Sequence, residues 1–297
     1  MMIDVHTHPP TQRASIPADQ LKVNRMWRPD RAVQVSTSWD DYFAAQRPAD
    51  VSIVFDIYWH PTGTGIYEGM GYEAQPWAAG NINDNVAAFV AAHPKRLIGF
   101  MALHPHDPHC LEELERCRTD LNFKGIKLGP NYQNFDPLEA RALQIYERAQ
   151  RYGLPIMFHQ GTSPQRNAPI RFAHPLLMDE VAIRFPDLKI IMAHVGHPYQ
   201  TDTIAVIRKH PNVYADMSAN IYRPYSFWEQ MVKANEWNVM HKILLGTDYP
   251  VTTVQESIDA LRNINAIVEG TALPRVPLDK IEAIIQCDAL ALLGIAI

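Results

Sequence analysis

No run of this chain approaches the ~18 uninterrupted apolar residues of a membrane span. Nor does a basic region lead into an apolar segment and cleavage site at the start, because Asp4 and two histidines interrupt it. These absences predict a cytoplasmic protein with no membrane partner. Charge of one sign is missing too: 27 Lys and Arg against 32 Asp and Glu give a formal charge of -5, which argues against a nucleic-acid partner. Cysteine is scarce, with three in the chain. Cys110 and Cys117, on one predicted helix, would stand about 10 Å apart along its axis, too far for a disulfide. Cys287 is isolated, so reduced structural thiols are expected. What remains is 297 residues, 47% apolar and 20% charged, an ordinary globular balance with room for one large core. A homo-oligomer is compatible with this composition.

Short β-branched or aliphatic runs alternate with longer segments of helical spacing, the pattern of parallel βα units. Eight runs stand out, at 2–5, 51–57, 97–103, 125–128, 154–158, 189–193, 213–217 and 243–246. Helical candidates lie between them at 83–92, 108–119, 137–152, 175–185, 201–209, 227–235 and 254–268. Several open with proline in the first turn, where its missing N–H costs nothing. The fold class predicted is α/β, a single-domain (β/α)₈ TIM barrel over 1–297. Two stretches break the pattern, 11–48 after strand one, with a short helix at 39–46, and 58–81 after strand two. Both are expected to be loop insertions over the mouth, the second rich in glycine and aromatics. Residues 278–293 predict one or two closing helices.

In such a barrel the βα loops ring one open mouth at the C-terminal ends of the strands, where catalytic groups collect. Ile3-Asp-Val-His-Thr-His ends strand one with two histidines whose side chains share a face at i and i+2. His159 ends strand five, His194 strand six and Asp248 strand eight. Singly, each could be a hydrogen-bonded core histidine or a turn-shaping aspartate. Jointly they predict a metal site, three imidazoles and a carboxylate suiting Zn²⁺, with Mn²⁺, Fe²⁺ or Co²⁺ as alternatives. His197 lies three residues past its strand end and is a weaker candidate.

These residues also carry a resemblance. The Asp-Val-His-Thr-His start, Phe123-Lys-Gly-Ile-Lys-Leu-Gly-Pro, Pro155-Ile-Met-Phe-His-Gln-Gly-Thr, Phe185-Pro-Asp-Leu-Lys-Ile-Ile-Met-Ala-His-Val-Gly and Leu245-Gly-Thr-Asp-Tyr-Pro follow in order along nearly the whole chain. Together they resemble the amidohydrolase superfamily, and within it the amidohydrolase-2 branch that contains aminocarboxymuconate-semialdehyde decarboxylase and related metal-dependent hydrolases. The resemblance implies that His6, His8, His159 and Asp248 hold one divalent metal and that His194 acts on water or substrate. Binuclear members carboxylate a strand-four lysine. Because the branch resembled here works with one metal, Lys127 is read as a mouth-lining cation or structural ion-pair partner. Asp288 stands where many relatives have asparagine, a structural difference.

The expected activity is hydrolysis of a small carbonyl substrate, a lactone, amide or cyclic acid, with Asp248 and His194 catalytic. A non-oxidative decarboxylase of a small unsaturated or aromatic acid would use the same site. A binding protein with a structural metal, a site usually closed by four protein ligands, is disfavoured by the extra His194 and the predicted open mouth. A carboxylate-bearing substrate could be gripped by Arg171, Arg166, Arg223 or Lys127 through charge-assisted hydrogen bonds. His104 and His106, after strand three, either face the mouth or cap the next helix.

Overall fold

The computed structural model describes residues 1–10, 27–34, 37–57, 81–164 and 168–296. Eight parallel strands follow in sequence order: β1 (Ile3–Thr7), β2 (Val51–Val54), β3 (Leu97–Ala102), β4 (Gly125–Leu128), β5 (Ile156–Phe158), β6 (Ile190–Met192), β7 (Val213–Asp216) and β8 (Ile243–Leu244). The ends meet. Val5 N donates to Leu245 O at 3.0 Å and Asp248 N to His6 O at 2.8 Å, and Thr7 bridges Tyr249 in parallel. The sheet is therefore a (β/α)₈ barrel.

The core has two layers. Ile53, Ile98, Phe100, Met157, Ile191 and Leu244 fill the barrel, and Leu290 and Leu293 of the closing helix Ala289–Leu293 join the same cluster. Val54, Met101, Ile126, Phe158 and Met192 point the other way and pack under Leu114, Tyr146, Met178 and Ile204 of the surrounding helices. This alternation is the period of two of a strand covered on both faces. Each large aliphatic side chain so buried contributes about 1.5–3 kcal/mol.

The helices 39–46, 83–92, 108–119, 137–152 and 201–209 appear within a few residues of expectation, as Trp39–Ala45, Ile82–Ala92, Cys110–Thr119, Ala140–Tyr152 and Gln200–Lys209. The 254–268 segment divides into the helix Val254–Arg262 and a 3₁₀ turn Ile264–Val268, and the closing segment into Leu278–Ile285 and Ala289–Leu293. A short helix, Pro130–Gln133, follows β4 unannounced. Asp288 has the structural part expected of it, its carboxylate accepting from Ala291 N at 3.0 Å to cap the last helix. All three cysteines are free thiols. Residues 11–26 and 35–36 of the first loop insertion and 58–80 of the second lie outside the described residues. Among the described residues no helix is long and apolar enough to cross a membrane.

One irregularity re-aims β1. Asp4 opposes Ser52 while Thr7 opposes Val54, three steps on β1 against two on β2. This extra residue is a bulge. Asp4 and Thr7 consequently both turn outward, Asp4 accepting from Thr247 Oγ1 at 2.6 Å and Thr7 Oγ1 meeting the buried Tyr42 hydroxyl at 2.8 Å. His6 turns inward, its ring 4.9 Å from that of Phe55.

Candidate metal centre

The inward face of β1 brings two imidazoles to one carboxylate. His6 Nε2 and His8 Nε2 lie 3.1 and 3.2 Å from the same Asp248 oxygen, Oδ1. The opposite nitrogen of His8, Nδ1, faces Phe55 O at 3.1 Å, and a carbonyl only accepts. His8 Nε2 is therefore the nitrogen left with a lone pair when the ring is neutral. Two such lone pairs converging on a carboxylate oxygen repel unless a proton or a cation lies among them. This donor set fits a divalent cation. Burial and the Lys127 charge pull the His6 imidazole down, yet Asp216 and Asp248 outweigh both and its pKa is raised. Burial would raise the Asp248 carboxyl, but the bonds to His6 and His8 hold it well below the usual range.

His159 and His194 form a second pair. His159 Nδ1 lies 3.2 Å from His194 Nε2, while His159 Nε2 is buried without a hydrogen-bond partner among the described residues. His159 is not within the tight group of His6, His8 and Asp248 and reaches it through His194, whose ring centre is 4.9 Å from that of His6. Burial holds both rings neutral, His194 pulled down to about 4 and His159 well below the ordinary histidine range.

Backbone strain concentrates at these strand ends. His194 (φ 60°), Val195 (φ 45°), Ala219 (φ 55°) and Asp248 (φ 57°) all occupy the left-handed region, which is costly for side chains bearing a Cβ and most of all for a β-branched valine. Gly161, just past His159, has φ 82°, and a Cβ there would come 2.0 Å from His197 O. The close approach of the β5 and β6 loops, with Thr162 N donating to His197 O at 2.8 Å, thus requires glycine.

Two further residues, not among the sequence candidates, complete the cluster. Asp216, at the end of β7 and fully buried, places Oδ2 2.9 Å from His6 Nδ1. Ser218 Oγ lies 2.8 Å from His194 Nδ1 and 3.2 Å from His6 Nδ1. His6, His194 and Asp216 form a second group close enough to share a cation. The only sequence signal was an acidic residue at the end of a strand.

The candidate cations are dispersed. Lys127 is buried inside the barrel, Nζ 3.5 Å from His6 Nε2 and 4.5 Å from the Phe55 ring centre, and burial pulls its ammonium down to about 8. Among the described residues it makes no close ion pair, although the Asp216 and Asp248 charges partly offset the effect of burial. Arg223 ties the β7 loop to the N-terminal segment, donating to Ala219 O at 2.9 Å and Trp27 O at 3.3 Å. Arg171 is exposed and stacks on Phe172, 4.4 Å from the ring centre. Arg166 lies outside the described residues. His106 pairs with Glu139 at 2.6 Å and its backbone N donates to His104 Nδ1 at 3.1 Å. Neither is the N-cap of the next helix, a position taken by His109, whose side chain makes no capping bond to the helix backbone. His197 Nδ1 is held by Gln200 at 2.8 Å.

Comparison with known proteins agrees with this architecture. The chain is 28% identical over 215 residues to 2-amino-3-carboxymuconate-6-semialdehyde decarboxylase of Dictyostelium discoideum, an alignment covering 61% of this chain and 60% of that protein. It thus spans less than two thirds of the length of that curated relative. An uncharacterized TIM-barrel protein of Bordetella bronchiseptica superposes with a TM-score of 0.70 at 19% identity, over 99% of both chains. A probable 2-pyrone-4,6-dicarboxylic acid hydrolase of Acinetobacter baumannii, with citric acid bound, gives 0.62 at 13% identity, again over 99% of both. The family model Amidohydro_2, described as amidohydrolase, matches residues 3–281, so the chain belongs to the amidohydrolase family.

Proposed function

We propose that this protein is a metal-dependent hydrolase of a small carbonyl substrate, a lactone, amide or cyclic acid. The observation that carries the reading is the convergence of His6 Nε2 and His8 Nε2 on Asp248 Oδ1 at 3.1 and 3.2 Å. His6, His8, His159 and Asp248 would hold one divalent ion, zinc by donor type with manganese, iron or cobalt as alternatives. When bound, the ion supplies Lewis acidity, lowering the pKa of water and polarising a carbonyl. The protein supplies the proton chemistry. Asp248, held ionised by its imidazole neighbours, accepts a proton at a carboxylate oxygen. His194, held neutral by burial, orients the nucleophile or meets the developing oxyanion. The Lys127 ammonium beside His6 offers a charge to a substrate carboxylate, with Arg171, Arg166 and Arg223 as further candidates.

A carboxy-lyase is the second reading, favoured by the 28% identity to a decarboxylase. In that case Asp248 would first take up a proton from water and then deliver it to the substrate carbon as carbon dioxide departs. A product screen separates the two. Metal-reconstituted protein is given a panel of lactones, cyclic amides and unsaturated or aromatic acids, and both the carboxylic acid product of hydrolysis, by mass, and carbon dioxide are measured. Acid release without carbon dioxide is expected. Carbon dioxide release without hydrolysis overturns the hydrolase in favour of the lyase.

A further inference from the structure

We propose that Asp216, acting with Ser218, is the positioning residue that fixes which nitrogen carries the proton in both His6 and His194. For His6 the inference rests on the metal-centre reading; for His194 it does not. Asp216 is wholly buried: Oδ1 accepts from His194 N at 3.1 Å, from Ser218 N at 3.0 Å and from the Ser218 hydroxyl at close range, three donors that favour the ionised carboxylate, and Oδ2 meets His6 Nδ1 at 2.9 Å. An ionised carboxylate can only accept. His6 Nδ1 must therefore carry the proton, and in the neutral ring the lone pair is at Nε2, the nitrogen aimed at Asp248.

Ser218 relays the same constraint. Its single hydroxyl proton is committed to Asp216 Oδ1, so towards His194 Nδ1, 2.8 Å away, Oγ can only accept. The Ser218 carbonyl, 3.3 Å from that nitrogen, is an acceptor too. Both demand Nδ1–H on His194 and leave Nε2 with its lone pair. His194 thus has no proton at Nε2 to offer an oxyanion. It serves as an acceptor: Nε2 here faces His159 Nδ1 at 3.2 Å, and a proton leaving the nucleophile would bond to Nε2 in place of that contact, the imidazolium keeping its Nδ1–H on Ser218. Of the two parts open to His194, the geometry points to nucleophile orientation and proton acceptance.

The test is ¹⁵N-histidine NMR of zinc-reconstituted wild-type protein, with signals assigned by their loss in His6→Asn and His194→Asn. Neutral Nδ1–H rings are expected at both positions; an Nε2–H ring at either overturns the proposal for that residue. In parallel, zinc affinity is measured by chelator competition in Asp216→Asn. A fall of roughly 10–100-fold is expected from loss of a hydrogen-bonded carboxylate behind a ligand, and unchanged affinity with unchanged tautomers overturns the role. Should Asp216→Asn fail to fold, the wild-type spectrum still decides. If wild-type protein takes up no zinc, the metal-centre reading falls, while the His194 signal in the same spectrum continues to test this inference.

Discussion

Asp248 and His194 share one mouth but differ in what surrounds them, and that difference separates their variants. Asp248→Asn keeps the shape and one carbonyl oxygen for a cation but loses nearly all basicity. Metal is expected to be largely retained and turnover to fall by roughly 10²–10⁴-fold, the range of general acid–base catalysis. His194→Ala should keep its metal and slow the chemical step. His6→Ala, His8→Ala and His159→Ala should each lose metal and activity together. Metal content and single-turnover rate, measured for all five, check this division, and full activity in exhaustively demetallated protein would exclude a catalytic metal. Lys127 supplies the pH dependence. Burial pulls its ammonium down to about 8, so the cation is present below that pH and lost above it. KM for a carboxylate-bearing substrate should rise through about pH 8, and that rise should vanish in Lys127→Met; a profile flat across this range in wild-type protein removes Lys127 from the substrate site.

At the scale of elements, Glu113 is the joint between two barrel helices. From Cys110–Thr119 it accepts from Asn81 Nδ2 at 2.9 Å and Asn83 Nδ2 at 2.8 Å, at the start of Ile82–Ala92, and pairs through both oxygens with Arg116. Arg116 in turn reaches Asp84 at 2.7 Å. Burial would raise the Glu113 carboxyl, but the Arg116 guanidinium and the two amides pull it down to about 2. A depressed carboxyl contributes stability that is full above its unfolded pKa and is lost as pH falls towards the folded one. Glu113→Gln should therefore destabilise by about 1–3 kcal/mol near neutrality, and the difference in Tm from wild type should shrink as pH drops from about 5 to about 2. A difference independent of pH would mean that packing, not charge, is what Glu113 supplies.

At the scale of the whole molecule, the floor and the mouth of the barrel are built separately. The floor is apolar, with Leu290 and Leu293 closing on Ile53, Ile98 and Leu244, and owes nothing to a cation. The mouth collects ionisable groups whose lone pairs converge. Removing metal should consequently leave far-UV circular dichroism unchanged while lowering Tm, since a ligand that binds only the folded state adds RT ln(1 + [L]/Kd), about 2.7 kcal/mol at 100 times Kd. Loss of helical signal on chelation would show that the metal organises the barrel itself.

The chain sequence by itself determined the barrel, because each strand is a short β-branched or aliphatic run whose both faces are covered, and each intervening helix carries an apolar stripe; those signals are local and survive without tertiary context. It also located His6, His8, His159, His194 and Asp248 at strand ends, since a strand end is where an apolar run stops. It did not disclose Asp216, whose run Val213-Tyr-Ala-Asp reads as an ordinary strand until barrel closure brings the His6 side chain of β1 within 2.9 Å of it. Nor did it disclose that Asp4 turns away from His6: strict alternation puts both on one face, and only the extra residue against Ser52 and Val54 separates them. The protonation of His6 and His194 was beyond reach for the same reason. Which nitrogen of an imidazole holds the proton depends on acceptors more than two hundred residues distant for His6 and over twenty for His194, and those distances close only when the barrel does.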